Sequence, residues 1–202
     1  MTTQTTEALT FARRLADAAN DAVAIAIAEA ARITDNGKAI DDHQVHTERI
    51  ALHATEARAA AELVAYCERQ AAADKPDALA EQQAFAFAAE ITNKLRATAH
   101  AHPDAFAIND RLDDNEMNAL VRAGLDDTLV ESIGRRVLEA RGQHATELED
   151  QAASLVRDSA RSFAKAEVVP IAQEMHREDL LVPEALIQKI AELGCRRAAL
   201  LP

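Results

Sequence analysis

The chain has 202 residues and a formal net charge of −12, so nucleic-acid binding is disfavoured because a phosphate backbone requires a basic stripe that this sequence lacks. About a quarter of the residues are alanine and only 3% are aromatic, which predicts helices with small-residue faces rather than a bulky aromatic pocket.

Three long helices are predicted between the N-terminus and residue 103, because apolar residues recur in alternating steps of four and three. The repeating residues are Phe11, Leu15, Ala18, Ala22 and Ile25, then Ile50, Ala54, Ala57, Ala61 and Val64, then Ala84, Ala88, Ile91 and Leu95. Short polar connections make neighbouring helices antiparallel. The expected fold is therefore an all-α, Ala-rich up-and-down bundle.

Breaks between these helices are predicted from local residue chemistry. Asn36-Gly37 can end the first helix, and Asp41 or Asp42 can cap the second. The segment 74–77 contains a proline that ends the second helix, and the third stops near His102-Pro103. Two shorter helices follow at 113–124 and 126–142, each with acids at its start and a glycine at its end.

A domain boundary is expected near Gly142. Residues 151–202 carry seven basic and seven acidic side chains, so the whole acidic excess lies in the first 150 residues. The polar stretch 141–146 separates the two parts. We therefore expect an acidic helical bundle at 1–143 and a second helical region at 144–202.

The second region is predicted to contain helices punctuated by proline. Val156, Ala160 and Phe163 mark an apolar face, and Pro170 interrupts or kinks that helix. Pro183 is suited to the first position of another helix, and Gly194 to its end. The apolar side chains expected along one side of this last helix are Leu186, Ile190 and Leu193.

Glycine and cysteine usage exclude further classes of protein. The five glycines are scattered, so no loop can bring several backbone amides around a phosphate. Cys67 and Cys195 fit no metal-ligand spacing, which is typical of free thiols in a reducing compartment. We expect a cytoplasmic protein, with Cys67 a small buried thiol beside Val64.

No membrane partner is expected. The most apolar run, residues 22–28, is far shorter than the ~20 residues that a membrane-spanning helix requires. No basic segment precedes a hydrophobic stretch, so the sequence predicts neither a secretory signal nor an anchor.

Candidate metal ligands are found near the start of the second helix. Asp42, His43 and His46 could share one helix face, but the Glu-x-x-His repeats of di-metal bundles are missing. A solvated helix start is the favoured interpretation, and His53 alters it little. No metal site is therefore assigned.

Other polar residues are expected to have structural roles. His100 and His102 suit a helix C-terminus, and the pairs 113–114 and 126–127 suit helix starts. The pairs 135–136 and 196–197 are expected to be surface arginines. No serine or cysteine has a histidine and an acid at a spacing that indicates a hydrolase nucleophile.

The stretch 154–194 resembles the first two helices of flavin-dependent acyl-CoA dehydrogenases. The resemblance depends on Arg161 with Phe163-Ala164, on the segment 167–170, on Pro183, and on the closing segment 191–194. Family members usually have an aspartate where this chain has Glu174-Met175-His176, which indicates a divergent branch.

The first region is similar to a helix of the C-terminal domain in the same family. The similar residues lie at 44–45, 48–51, 54–60 and 63–64, here ahead of the N-terminal helices. A long helical extension in this position resembles the (2S)-methylsuccinyl-CoA dehydrogenase branch.

The resemblance implies α,β-oxidation of an acyl-CoA thioester, with a glutamate base and with FAD as hydride acceptor. Those parts lie downstream in the family, so we assign no catalytic, cofactor-binding or metal residue and expect no FAD binding or catalysis by this chain alone. Residues 195–202 depart from the family pattern, and a truncated or frameshifted reading frame is one hypothesis. The alternative function is a freestanding helical module that binds a protein partner or forms a homo-oligomer.

Overall fold

The structure is a computed structural model that describes residues 6–108, 111–141 and 151–192. Within these ranges the chain is predominantly helical and has no strand, which confirms the expected all-α fold. The chain separates into two compact units, Met1–Gln143 and His144–Pro202.

The first unit contains three long helices and three shorter ones. They are α1 (Glu7–Ile33), α2 (Gln44–Ala72), α3 (Ala78–Ala101), α4 (Pro103–Phe106), α5 (Asn115–Gly124) and α6 (Asp127–Glu139). The second unit contains α7 (Gln151–Phe163), α8 (Val169–Arg177) and α9 (Glu184–Glu192).

Helices α1, α2 and α3 pack against one another and enclose most of the core of the first unit. One group of buried side chains lies near Leu15 and Val64 and includes residues of α5. A second group lies near Val23, Leu95 and Phe106. Alanine supplies many of the contacts, which lets the helix backbones approach closely.

Only some residues of the predicted apolar stripes are buried in the structure. All four predicted residues of α3 are buried. In α1, the predicted residues Leu15 and Ala22 are buried, but Phe11, Ala18 and Ile25 are only half-buried. The core also contains residues of α1 that were not predicted, namely Ala12, Ala16, Ala19, Val23 and Ala26. Because each helix contacts two neighbours, its buried sector is wider than a single stripe and is displaced from the stripe's centre.

The start of α2 differs from the prediction that Asp41 or Asp42 caps it. Both aspartates lie inside a short 3-10 helix, Ile40–His43, and the N-cap position belongs to His43, which makes no side-chain cap bond. The chain thus enters α2 from a helical turn, without the extended residue whose side chain normally caps a helix.

The other predicted helix ends agree with the structure more closely. The backbone turns through left-handed residues 35–37 after α1, and α3 ends at Ala101. Asp114 caps α5 by accepting a hydrogen bond from the Met117 amide at 2.7 Å, and Asp126 caps α6 in the same manner. Helix α6 ends at Glu139, and Gly142 lies outside the described residues.

The second unit confirms the interruption predicted at Pro170. A π-helical turn, Ala164–Val168, separates α7 from α8, and Pro170 occupies the first turn of α8. Helix α9 begins at Glu184, one residue after the predicted start, while the Pro183 carbonyl accepts hydrogen bonds from the amides of Leu186 and Ile187. Leu193 and Gly194 lie outside the described residues.

Candidate functional site

A groove of about 500 Å³ opens between α2 and α3 in the first unit. Its lining residues are Arg49, Leu52, His53, Lys94, Ala97, Thr98, Ala101 and His102. The surface combines an apolar part with several cationic or titratable side chains.

His53 is the most buried polar residue of this groove, with 5% of its surface exposed. Its Nδ1 atom lies 3.4 Å from Glu56 Oε2, so the neutral tautomer with its proton on Nδ1 can donate a long hydrogen bond to this carboxylate oxygen. The edge of the imidazole packs against the Phe106 ring, with the centroids 5.7 Å apart. These two buried polar atoms therefore depend on each other for a hydrogen-bond partner.

Burial and two neighbouring charges determine the direction in which the pKa of His53 is shifted. Burial lowers the pKa of His53, the charge of Lys94 lowers it further, and Glu56 acts in the opposite direction. Lys94 Nζ donates a hydrogen bond to Glu56 Oε1, so one carboxylate oxygen is already occupied. His53 is consequently neutral at neutral pH.

Arg49 lies one turn before His53 and differs from the other half-buried arginines. Those residues, Arg13, Arg96, Arg136 and Arg157, each have a hydrogen bond or an ion pair. Among the residues that the structure describes, none pairs with the guanidinium of Arg49. An arginine offers five N–H donors, so this side chain retains its full capacity to bind an anion.

The role of His53 was missed from the sequence, although a signal was present. Every buried residue of α2 belongs to one unbroken four-and-three series. The series is Ile50, His53, Ala57, Ala60, Val64, Cys67 and Ala71. A histidine inside such a series is expected to be buried. Of the predicted stripe, Ile50, Ala57 and Val64 belong to this series, whereas Ala54 and Ala61 lie beside it and are half-buried.

The residues weighed as candidate metal ligands near the start of α2 belong to no metal-binding group among the residues that the structure describes. Asp42 is exposed, while His43 and His46 are half-buried. Over 6–108, 111–141 and 151–192, no group of three or more His, Cys, Asp or Glu side chains could hold a metal ion. Burial, followed by the nearby His43, lowers the pKa of His46.

The other candidate residues mostly connect or terminate helices. His100 Nε2 lies 2.6 Å from Asp113 Oδ2, which connects the last turn of α3 to the residue before the α5 cap. His102 occupies the C-cap of α3. Arg136 donates a hydrogen bond to Gln82 at 2.7 Å, and Arg135 is exposed. The 196–197 pair lies outside the described residues.

Cys67 is buried, as predicted, with 2% of its surface exposed. Burial raises the pKa of the Cys67 thiol to about 11, and the nearby Glu81 and Asp77 act in the same direction. The reactive thiolate is thus strongly disfavoured at neutral pH.

The described part of the second unit exposes many apolar side chains. Leu186 is its one buried residue between positions 151 and 192, while 90% of Leu181 is exposed. The exposed large apolar residues are Leu155, Val156, Val169, Leu180, Leu181, Val182, Ile187 and Ile190.

Comparison with known families gives a match that covers residues 150–200. The matching family is the acyl-CoA dehydrogenase N-terminal domain. The match supports a relationship to the acyl-CoA dehydrogenase family for this segment and agrees with the resemblance seen in its sequence. Comparison with curated proteins and with solved structures gives no match. In the described ranges, no helix is long and apolar enough to cross a membrane.

Proposed function

We propose that this chain is part of a flavin-dependent acyl-CoA dehydrogenase, to which residues 144–202 contribute the leading helices of the N-terminal domain. The single observation that carries the proposal is the family match over residues 150–200. The helical structure of 151–192 supports it.

The exposed apolar side chains of α7, α8 and α9 support the same proposal. Leu181, Leu155 and Val156 are mostly exposed, although burying each would stabilise the protein by about 1.5–3 kcal/mol. The partner that we propose for this surface is the remaining core of an acyl-CoA dehydrogenase. In this proposal that core also binds FAD and the acyl-CoA.

In this proposal the reaction is the oxidation of the Cα–Cβ bond of an acyl-CoA thioester, and FAD accepts the hydride. The finer proposal is a methylsuccinyl-CoA substrate, supported by the similarity of residues 44–64 to a family helix placed ahead of the core. The residues of this chain alone are proposed to be inactive. A cytoplasmic location is proposed from its free, buried Cys67.

The alternative function is a freestanding helical module that binds a protein partner or a second copy of itself. The exposed apolar residues of the second unit favour this alternative as well, because a large apolar surface commonly marks an interaction site.

The nucleotide sequence after the codon for Gly194 tests the main proposal directly. We expect one reading frame to encode the rest of an acyl-CoA dehydrogenase core. If no frame does so, the chain is not part of such an enzyme and the interaction module becomes the better explanation.

The purified chain provides a second test. After incubation with FAD, we expect no bound flavin absorbance and no dye reduction with a short branched acyl-CoA. A yellow protein that reduces the dye would contradict the proposed inactivity. If the purified chain forms colourless oligomers, and if the double variant L181S/V182S no longer forms them, the interaction module is favoured. The matched control for that test is L138S, which removes an exposed leucine from α6 in the other unit.

A further inference from the structure

We propose that two copies of this chain pair through helix α6, with the two α6 helices antiparallel and crossing at Gly134. The surface concerned, which we name the α6 ridge, consists of Asp127, Val130, Gly134 and Leu138 and continues to Arg141, just beyond the end of the helix. This inference concerns the first unit alone and does not depend on the proposed dehydrogenase function.

The α6 ridge lies on a part of the helix that the bundle leaves uncovered. Its four helical residues follow one another in steps of three, four and four, so they lie along one side of α6. Leu129 and Ile133, on a neighbouring side, are half-buried, and Leu129 packs against the core. Val130 is 49% exposed and Leu138 is 78% exposed. Two large apolar side chains are therefore uncovered, one turn on either side of Gly134.

Gly134 is not required by the packing that the structure describes. The residue is exposed, and a methyl group placed on its Cα would meet nothing within 4 Å. Glycine inside a helix is less favourable than alanine, so a reason for this glycine is expected outside these contacts. The absence of a side chain lets another backbone approach closely, as it does where Gly124 of α5 meets α3. Gly134 is therefore suited to the crossing point of α6 with a second helix.

The α6 ridge is complementary to a reversed copy of itself. Two antiparallel helices that cross at Gly134 bring together residues at equal distances before and after this glycine. Val130 of one copy then meets Leu138 of the second copy, because each is four residues from Gly134. Asp127 likewise meets Arg141, because each is seven residues away. A two-fold interface requires such self-complementarity, since each contact occurs twice with the copies exchanged.

The charges of the α6 ridge favour a second copy over a basic protein as the partner. The ridge contains one acid and one base, so it is neutral although the chain carries a net charge of −12. Asp127 and Arg141 are both exposed, and neither forms an ion pair with another residue that the structure describes. A basic protein would be attracted to the acidic remainder of the first unit. Antiparallel pairing gives each of these two charges a partner of opposite sign.

Sedimentation equilibrium of the full chain, from micromolar to millimolar concentration, tests the proposal. A single helix of 13 residues gives a small interface, so we expect a weak, reversible dimer. The variant L138S should weaken it by about tenfold or more, because the leucine is lost from two symmetric contacts. The matched double variant L181S/V182S, changed only in the second unit, should dimerise as the unmodified chain does. A chain that remains monomeric, or that loses self-association in L181S/V182S but not in L138S, would overturn the proposal.

The variants R141E and D127K/R141E test the antiparallel register. R141E places two acids opposite each other at both ends of the interface and should weaken the dimer by about fivefold. D127K/R141E restores opposite signs and should restore dimerisation. Circular dichroism checks that both variants are folded. Failure of the double variant to dimerise better than R141E would show that this register is wrong.

A cysteine at position 134 tests the crossing point, because a residue on the two-fold axis faces its own copy. In the C195S background, where the remaining Cys67 is buried, G134C should form a disulfide-linked dimer under mild oxidation. The matched control is E139C in the same background, which places an exposed cysteine about 140° around the helix from Gly134. It should crosslink much more slowly. Equal crosslinking of the two variants on non-reducing gels would contradict the proposed interface.

Discussion

Gly124 lies so close to Ala89 that a methyl group placed on its Cα would be 2.4 Å from the Ala89 Cβ atom. The same methyl group would lie 3.2 Å from the backbone oxygen of Phe85. The last residue of α5 therefore packs directly on the backbone of α3, and only glycine fits this contact without a shift of one helix.

The variant G124A is expected to lower the free energy of unfolding by about 1–3 kcal/mol, because the added methyl group must displace α5 from α3. Urea unfolding followed by circular dichroism measures this change. The matched control is G134A, whose methyl group would meet nothing within 4 Å. Alanine favours a helix over glycine by about 1 kcal/mol, so G134A should be neutral or stabilising. Equal stability of G124A and the unmodified chain would contradict the close contact.

Acidification is expected to destabilise the first unit through His53. Burial lowers the pKa of His53 in the folded state, so the unfolded chain binds the proton more tightly. The free energy of unfolding therefore falls as the pH drops from about 7 through the ordinary histidine pKa of about 6.5, until the pH reaches the lower folded-state value. Glu56 and Lys94 are the charged groups that act on this residue.

The variant H53Q tests this pH dependence, because glutamine is polar but does not titrate. Its free energy of unfolding should fall less between about pH 7 and about pH 5 than that of the unmodified chain. His46, whose pKa is also lowered by burial, remains in both proteins and contributes equally. Parallel pH profiles for the two proteins would show that His53 does not carry this effect.

Cys67 is expected to resist alkylation while the protein is folded. A rise of its pKa from 9.0 to about 11 reduces the thiolate fraction by about a hundredfold, and burial also blocks the reagent. In the variant C195S, where Cys67 is the remaining thiol, iodoacetamide labelling followed by mass spectrometry should be slow in buffer and fast in urea. Rapid labelling in buffer would mean that this part of α2 opens readily.

Asp114 is expected to stabilise the first unit by capping α5. Its Oδ1 atom accepts a hydrogen bond from the Met117 amide at 2.7 Å. Replacement by alanine should cost about 1 kcal/mol of unfolding free energy, whereas D114N should be nearly neutral because asparagine caps equally well. Thermal unfolding of both variants provides the comparison. A D114N protein as unstable as D114A would show that charge, and not the cap bond, is responsible.

The sequence allowed prediction of the helices, because helical periodicity and breaks depend on nearby residues. The four buried residues predicted for α3, the caps at Asp114 and Asp126 and the interruption at Pro170 all follow from such local signals. The prediction that an aspartate caps α2 was wrong, because the 3-10 turn Ile40–His43 leaves no extended residue from which an aspartate could cap the helix.

The groove could not be predicted in the same way, because its residues come from two helices. Arg49 and His53 are 41 or more positions away from Lys94 in the sequence, and their proximity depends on how α2 packs against α3. The unpaired state of Arg49 is likewise a property of three-dimensional surroundings. His53 alone had a sequence signal, namely its place in the buried series of α2.

The π turn at Ala164–Val168 has a consequence for the second unit. Such a turn contains one residue more than the α-helical turn it replaces, so it rotates everything after it by about 100° around the helix axis. Deleting a single residue from this turn would rotate α8 by about 100° relative to α7, so the segment behaves as a fixed one-residue insertion that determines which surfaces the two helices present together.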